Sequence, residues 1–235
     1  MFSYFLLSMT ESIGLDVNVD IFEPRSFGHC GPAGCNHCGG IVSESLVQRL
    51  ATEGIRLPND VVQRGIQSYT LHMDVGDVEI ETPLHEKRIA AIYRGNGPKE
   101  SEALETHSFD GYLCELAREK GARLVPQLVT GLQRETDSMS VQCAGDTHDN
   151  YDLVVVASGI NSRLLEMLEE ESHEFTRPTR TKTFICEFRL GEDVIQETLG
   201  SSMHVFLLDI PRLEFAALIP KGDFVTLCLL GEDID

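Results

Sequence analysis

The sequence is short of basic residues: 19 Lys and Arg stand against 38 Asp and Glu in 235 residues, a formal net charge of −19. Nucleic acids and anionic membrane surfaces reward Lys and Arg, so this balance argues against either as the main partner. No run of about 18 apolar residues occurs, so no transmembrane helix is expected. The opening MFSYFLLSM is apolar but has no basic flank, and it runs into Thr10 and Glu11 without a small-residue cleavage pattern; it does not read as a secretory signal. Internal repeats and low-complexity tracts are absent too. Cysteine is not scarce, with seven in the chain. The count is odd, however, and three crowd between Cys30 and Cys38, unlike a paired disulfide framework. A reducing cytoplasm is the expected setting.

What remains is an ordinary globular composition, 42% apolar and 24% charged, long enough for one large domain or one and a half smaller ones. Leu15–Phe22 alternates apolar and polar residues, as a strand does, and ends at Glu23, Pro24 and Arg25. Residues 27–40 are rich in glycine and have no period, so they read as a long loop. Ser43–Leu57 has a capping serine and helical spacing of Leu46, Val47, Leu50 and Ile55. Gly65–Ile92 breaks into short β-prone pieces and predicts an antiparallel meander. Ser108–Lys120 is an amphipathic helix that Gly121 can stop.

Further on, Arg123–Arg134 and Ser138–Cys143 read as strands. Asp152–Ala157 (DLVVVA) is a continuous β-branched run, which suits a strand buried on both faces of a parallel sheet. It breaks at Ser158–Gly159, and Arg163–Glu171 reads as a short acidic helix. Beyond Pro178 the texture is β again, over 181–190, 204–209, 215–219 and 224–230.

Three places can carry chemistry. Glu23 ends a strand, where a carboxylate can accept both hydroxyls of an adenosine ribose; alone, such an acid reads more readily as a solvated strand end. Ala157, Ser158 and Gly159 stop the buried run with small residues, which lets a phosphate or ribityl chain approach the backbone; an ordinary turn is the plainer alternative. The loop from Cys30 to Gly40 has two readings. Its glycines leave room for a planar cofactor, or Cys30, Cys35 and Cys38 with His29, His37 or the distant Cys114 form a ligand set for zinc or an iron–sulfur cluster. A Gly-x-Gly-x-x-Gly turn after a first strand is missing, and the residues before Leu15 leave no room for the βα unit of about 30 residues that carries one.

Together these segments resemble the flavoprotein family that includes geranylgeranyl reductases, among the FAD-dependent oxidoreductases and aromatic hydroxylases. The resemblance rests on Gly14–Val17 leading to Glu23 and Arg25, and on Cys38-Gly39-Gly40 before a helix. It continues through Arg94-Gly95-Asn96-Gly97-Pro98, Ser108-Phe109-Asp110 running to Gly121-Ala122, and Tyr151–Ser162. It spans roughly residues 14–235, and order and spacing make it more specific than any one motif.

The resemblance implies an α/β, three-layer Rossmann-like FAD/NAD(P)-binding fold with an antiparallel β substrate domain, incomplete at both ends. The FAD-binding part would be 1–64 and 96–172, and the substrate part 65–95 and 173–235. Glu23, with Arg25 beside it, would hold the adenosine ribose, and the backbone of Val129 would face adenine. Ala157, Ser158 and Gly159 would lie near the pyrophosphate, and Gly39 and Gly40 would border the isoalloxazine, with Cys38 taking part in the reduction. The implied activity is flavin-mediated reduction or oxidation of a small apolar, isoprenoid-type substrate, with NAD(P)H or a protein as electron donor. The rival expectations are the metal-binding redox module on Cys30, Cys35 and Cys38, and an inactive truncated flavoprotein.

Overall fold

A computed structural model of the chain describes residues 1–31, 38–101, 108–172 and 174–233. In chain order its elements begin with α1 (Phe2–Ile13), β1 (Asp20–Phe22), β2 (Ile41–Val42), α2 (Glu44–Thr52), β3 (Val62–Ile66), β4 (Ser68–Met73) and β5 (Gly76–Glu81). Then come β6 (Ile89–Ile92), α3 (Phe109–Glu119), β7 (Arg123–Val125), β8 (Val129–Arg134), β9 (Met139–Cys143) and β10 (Asp146–Tyr151). The last are α4 (Arg163–Glu171), β11 (Thr183–Arg189), α5 (Glu192–Thr198), β12 (Ser202–Leu207), β13 (Leu213–Lys221) and β14 (Phe224–Gly231). By packing, the chain divides into two compact units, Met1–Arg25 with Leu116–Arg180, and Ser26–Glu115 with Thr181–Asp235.

In the first unit, α1 stops at Gly14, whose φ of 69° is the left-handed conformation that glycine adopts without a Cβ penalty. Leu7 packs there with Ala117 and Ala122, against Tyr4, Val17, Val19 and Ile21. Val17, Val19 and Ile21 therefore share one face, as the alternation predicts, while Leu15 is exposed and only Asp20–Phe22 enters a ladder. That ladder is parallel to β7, pairing Asp20 with Arg123 and Phe22 with Val125. The single strand expected over Arg123–Arg134 is two, β7 and β8, because Pro126 has no N–H to donate and the chain turns there, with Gln127 N–H on the Val125 carbonyl.

A separate antiparallel sheet has the order β10-β9-β8. On it lies α4, which starts where the Ser162 hydroxyl accepts the Leu164 N–H at 3.2 Å. Leu164, Met167 and Leu168 of α4 line a small cavity together with Leu132 of β8.

The run Asp152–Ala157 corrects its expectation. It forms no regular strand and joins no ladder among the described residues, with Leu153 67% and Val155 48% exposed. Its β-branched sequence suits a strand with neighbours on both sides, and no described strand takes either place.

The second unit is built from two sheets. The larger has the order β11-β14-β13-β12-β4-β5, and the smaller β2-β6-β3. Ile66, Ile89 and Ala91 from the small sheet pack against Ala217 and Ile219 from the large one. The other side of the small sheet carries Val42, Ala90 and Ile92, which bury Val47 of α2 and Phe109 and Tyr112 of α3. Helix α2 begins at Ser43, whose hydroxyl accepts the Leu46 N–H. Its Leu50 is buried, and burial of a leucine is worth about 1.5–3 kcal/mol.

The predicted meander over 65–92 is divided between these sheets: β4 and β5 form a hairpin in the large sheet, while β3 and β6 pair in the small one. The switch occurs at Gln67, whose N–H reaches the Ser201 carbonyl and whose own carbonyl accepts the Thr82 N–H. Beside the hairpin, β4 pairs in parallel with β12, Ser68 opposite Ser202 through Met73 opposite Leu207.

Candidate functional site

The first unit presents an acidic strand end. Glu23 extends the parallel ladder by donating its N–H to the Val125 carbonyl at 3.0 Å. Its carboxylate takes the Arg25 guanidinium in a two-pronged pair, Nε to Oε1 at 2.9 Å and Nη2 to Oε2 at 2.7 Å, and also accepts the Arg25 N–H. Such a fork fixes the plane of the carboxylate. The sequence flagged both residues, but not that each holds the other. The carboxyl end of a parallel pair is where open α/β sheets bind ligands.

Just before it, Asp20 accepts Arg123 Nε at 2.8 Å and the Tyr151 hydroxyl at 2.5 Å. The Arg123 hydrogen bond holds the Asp20 carboxyl below its ordinary range, while burial and the bond to Asp20 push Tyr151 up to about 12. The ring of Phe22 meets those of His148 and Tyr151 edge-on. Tyr151 thus ties the start of the exposed Asp152–Ala157 run to β1.

Ala157, Ser158 and Gly159 lie at the far end of that run and are exposed. Gly159 has a φ of 81°, and a Cβ placed on it would meet nothing within 4 Å. Its carbonyl accepts the Ser162 N–H, which leads directly into α4. Val129 is half-buried at the start of β8, opposite Cys143.

The second unit gathers a cluster around Cys38, Gly39 and Gly40. Gly39 is pressed on β13: a Cβ there would come within 2.9 Å of Ile219 Cδ1. Gly40 has a φ of 64°, and a Cβ would overlap the Ile92 carbonyl and sit 2.7 Å from Lys221 Nζ. Lys221 is 1% exposed. Burial lowers its ammonium to about 8, against the opposing pull of Glu187, Cys38 and Cys228. Its Nζ stands 4.7 Å from the centre of the Tyr93 ring, a cation–π distance.

Tyr93 is 3% exposed, and its hydroxyl has no hydrogen-bond partner among the described residues. Burial, then Glu187 and Asp223, hold that hydroxyl well above its ordinary range. Burial also raises Glu187, whose Oε1 accepts the Thr226 hydroxyl at 3.5 Å, and Cys228.

Sequence reading found Cys38, Gly39 and Gly40 but missed Lys221, Tyr93, Glu187, Thr226 and Cys228. One signal was present. In the strand LEFAALIPK the core face runs Ala217, Ile219, Lys221, so alternation alone puts a lysine on an apolar face.

The cysteine loop is divided. Cys30 hydrogen-bonds the Asn96 carbonyl at 3.2 Å and lies 3.7 Å from the Ser101 hydroxyl, whereas Cys38 faces the Lys221 cluster. Cys35 and His37 lie outside the described residues. Among the described residues no three His, Cys, Asp or Glu are grouped to hold a metal. No helix among them is long and apolar enough to cross a membrane.

No family model and no curated protein matches the chain. Solved structures do. A geranylgeranyl bacteriochlorophyll reductase-like protein from Thermoplasma acidophilum aligns with a TM-score of 0.68 at 13% identity, over 97% of this chain and 53% of its own. A flavoprotein/dehydrogenase from Cytophaga hutchinsonii gives 0.67 at 12% identity, over 98% and 52%. HpxO from Klebsiella pneumoniae, solved with FAD and uric acid, gives 0.57 at 14% identity, over 97% and 52%. The chain spans about half the length of these proteins. At such identities the likeness establishes the fold: an α/β, Rossmann-type architecture with a β-rich second part, shared with geranylgeranyl reductase-like proteins and other flavoproteins.

Proposed function

We propose that the protein is an FAD-dependent oxidoreductase that acts, in the manner of geranylgeranyl reductase-like proteins, on a small apolar substrate of isoprenoid type in the cytoplasm. The observation that carries this reading is the fold likeness to flavoproteins over nearly the whole chain. The cofactor-binding part would comprise 1–64 and 96–172, and the substrate part 65–95 and 173–235.

Two features fit the group. The Glu23 carboxylate, its plane set by Arg25, stands at the carboxyl end of parallel strands, where ribose hydroxyls can donate to it. Open space around Gly159 gives an extended phosphate chain access to the backbone. FAD, when bound, supplies hydride chemistry that side chains cannot. The chain's part is to bind and to handle protons. Glu23 with Arg25 would fix the ribose, the Val129 backbone would meet adenine, and Ala157, Ser158 and Gly159 would flank the pyrophosphate. In the second unit Gly39 and Gly40 would border the flavin ring. Cys38 would hold at Sγ the proton that accompanies hydride delivery to carbon, with NAD(P)H or a protein partner as the source of electrons.

Flavin fluorescence titration tests the reading. FAD is expected to bind more tightly than riboflavin, which lacks the adenosine, and Glu23→Gln is expected to weaken FAD about tenfold, the scale of one charge-assisted hydrogen bond. Equal affinity for FAD and riboflavin, or no binding of either, contradicts it.

A further inference from the structure

A lysine ammonium buried to 1% exposure is costly unless something answers its charge. Among the described residues no carboxylate lies within 4.0 Å of Lys221 Nζ, since none forms an ion pair with it. Glu187 acts on it only at longer range, and burial biases Glu187 toward its neutral form. The thiols of Cys38 and Cys228 are neutral donors when protonated. Tyr93 offers Nζ the face of its ring, while its own hydroxyl, a donor, stands buried without a partner.

The cluster therefore holds a cation and an unused O–H donor, and among the described residues too little acceptor to satisfy either. What both lack is an oxygen with negative charge. The glycines sharpen this point: Gly40 has no side chain to come between the backbone and Nζ, and any Cβ would press on that nitrogen.

We propose that Lys221 and Tyr93 form a seat for an anionic oxygen on the substrate, a carboxylate, enolate or phenolate, so that the substrate is an amphiphile with an acidic head rather than a plain hydrocarbon. This rests on the reading of the Cys38–Gly40 segment as the substrate-facing end of a flavoenzyme and names the substrate class for that site. The seat binds by charge and by one hydrogen bond from the Tyr93 hydroxyl. No covalent step is involved.

Decanoate and decanol share a chain and differ in head charge, so their affinities for the full chain at pH 7, measured by calorimetry, isolate the seat. Decanoate is expected to bind at least tenfold more tightly. That preference should fade as the pH rises through about 8, where the Lys221 ammonium loses its proton. Lys221→Met should abolish the preference and Tyr93→Phe should reduce it. Equal affinities for the two probes, no binding of decanoate, or a preference unchanged by pH overturns the proposal; these arms use wild-type protein and do not depend on how the variants fold. FAD titration of the same samples separates the two readings. Decanoate preference without flavin binding leaves the seat standing and removes the flavoenzyme; flavin binding without the preference does the reverse.

Discussion

The two units differ in how completely their backbone is paired. In the second, six strands join in one sheet and three in another, and their facing sides bury Ile66, Ile89, Ala91, Ala217 and Ile219. In the first, among the described residues, β1 has a partner on one side only, and the β-branched run Leu153–Val156 joins no ladder, with Leu153 and Val155 exposed. A strand's sequence states what environment it suits, not whether that environment is filled. The difference also sorts the functional residues. Those expected to meet a nucleotide sit on the exposed backbone of the first unit, whereas the charged cluster of the second lies buried beside its sheets.

Substitutions at glycine break this comparison most sharply. Gly40→Val drives a side chain into the Ile92 carbonyl and Lys221 at a left-handed φ, and is expected to cost about 4 kcal/mol or more in urea unfolding. Gly159→Ala meets open space at a similar φ, so only the backbone penalty of about 1–2 kcal/mol should appear. A small loss at Gly40 would mean that the second core is looser than described.

Lys221→Met tests the same core from the opposite direction. The fall of the ammonium from its ordinary 10.5 to about 8 corresponds to about 3 kcal/mol set against folding. The variant should be more stable than the wild type at pH 7 by up to about that amount. Between about 8 and 10.5 the unfolded chain binds a proton that the native state lacks, so wild-type stability rises with pH and the variant's lead shrinks. A variant less stable than wild type at pH 7, by thermal or urea unfolding, contradicts the picture of an unanswered buried charge.

The smallest effect is expected in the first unit. Asp20→Asn weakens charge-assisted bonds to Arg123 and Tyr151 and should cost about 1–2 kcal/mol at pH 7. The Asp20 carboxyl is held low, so its contribution is present at neutral pH and is lost as the pH falls through its folded value. Wild type and variant should therefore converge in acid.

Much of the fold was legible where the signal is local. Ser43 and Ser162 announce α2 and α4 because capping involves only neighbouring residues. Strands β11, β13 and β14 show in apolar, β-branched runs. Helix α1 carries no local start signal, since Met1 provides no side-chain cap. Helix α5 hides in the acidic stretch Glu192–Thr198, with only Ile195 fully buried. The site was half legible. Glu23 and the glycines are conspicuous in the chain, but the pairing of Glu23 with Arg25 and the meeting of Lys221 with Tyr93 and Gly40 are products of tertiary structure.

Hydrogen exchange with and without FAD tests the account most directly. If Glu23 and the Ala157–Gly159 turn serve one adenine-bearing cofactor, the amides of Glu23 and Arg25 and those of residues 157–161 should both slow on adding FAD, while β8–β9 amides away from Val129 stay as they were. Unchanged exchange at both segments under saturating FAD, or slowing at one alone, would contradict it.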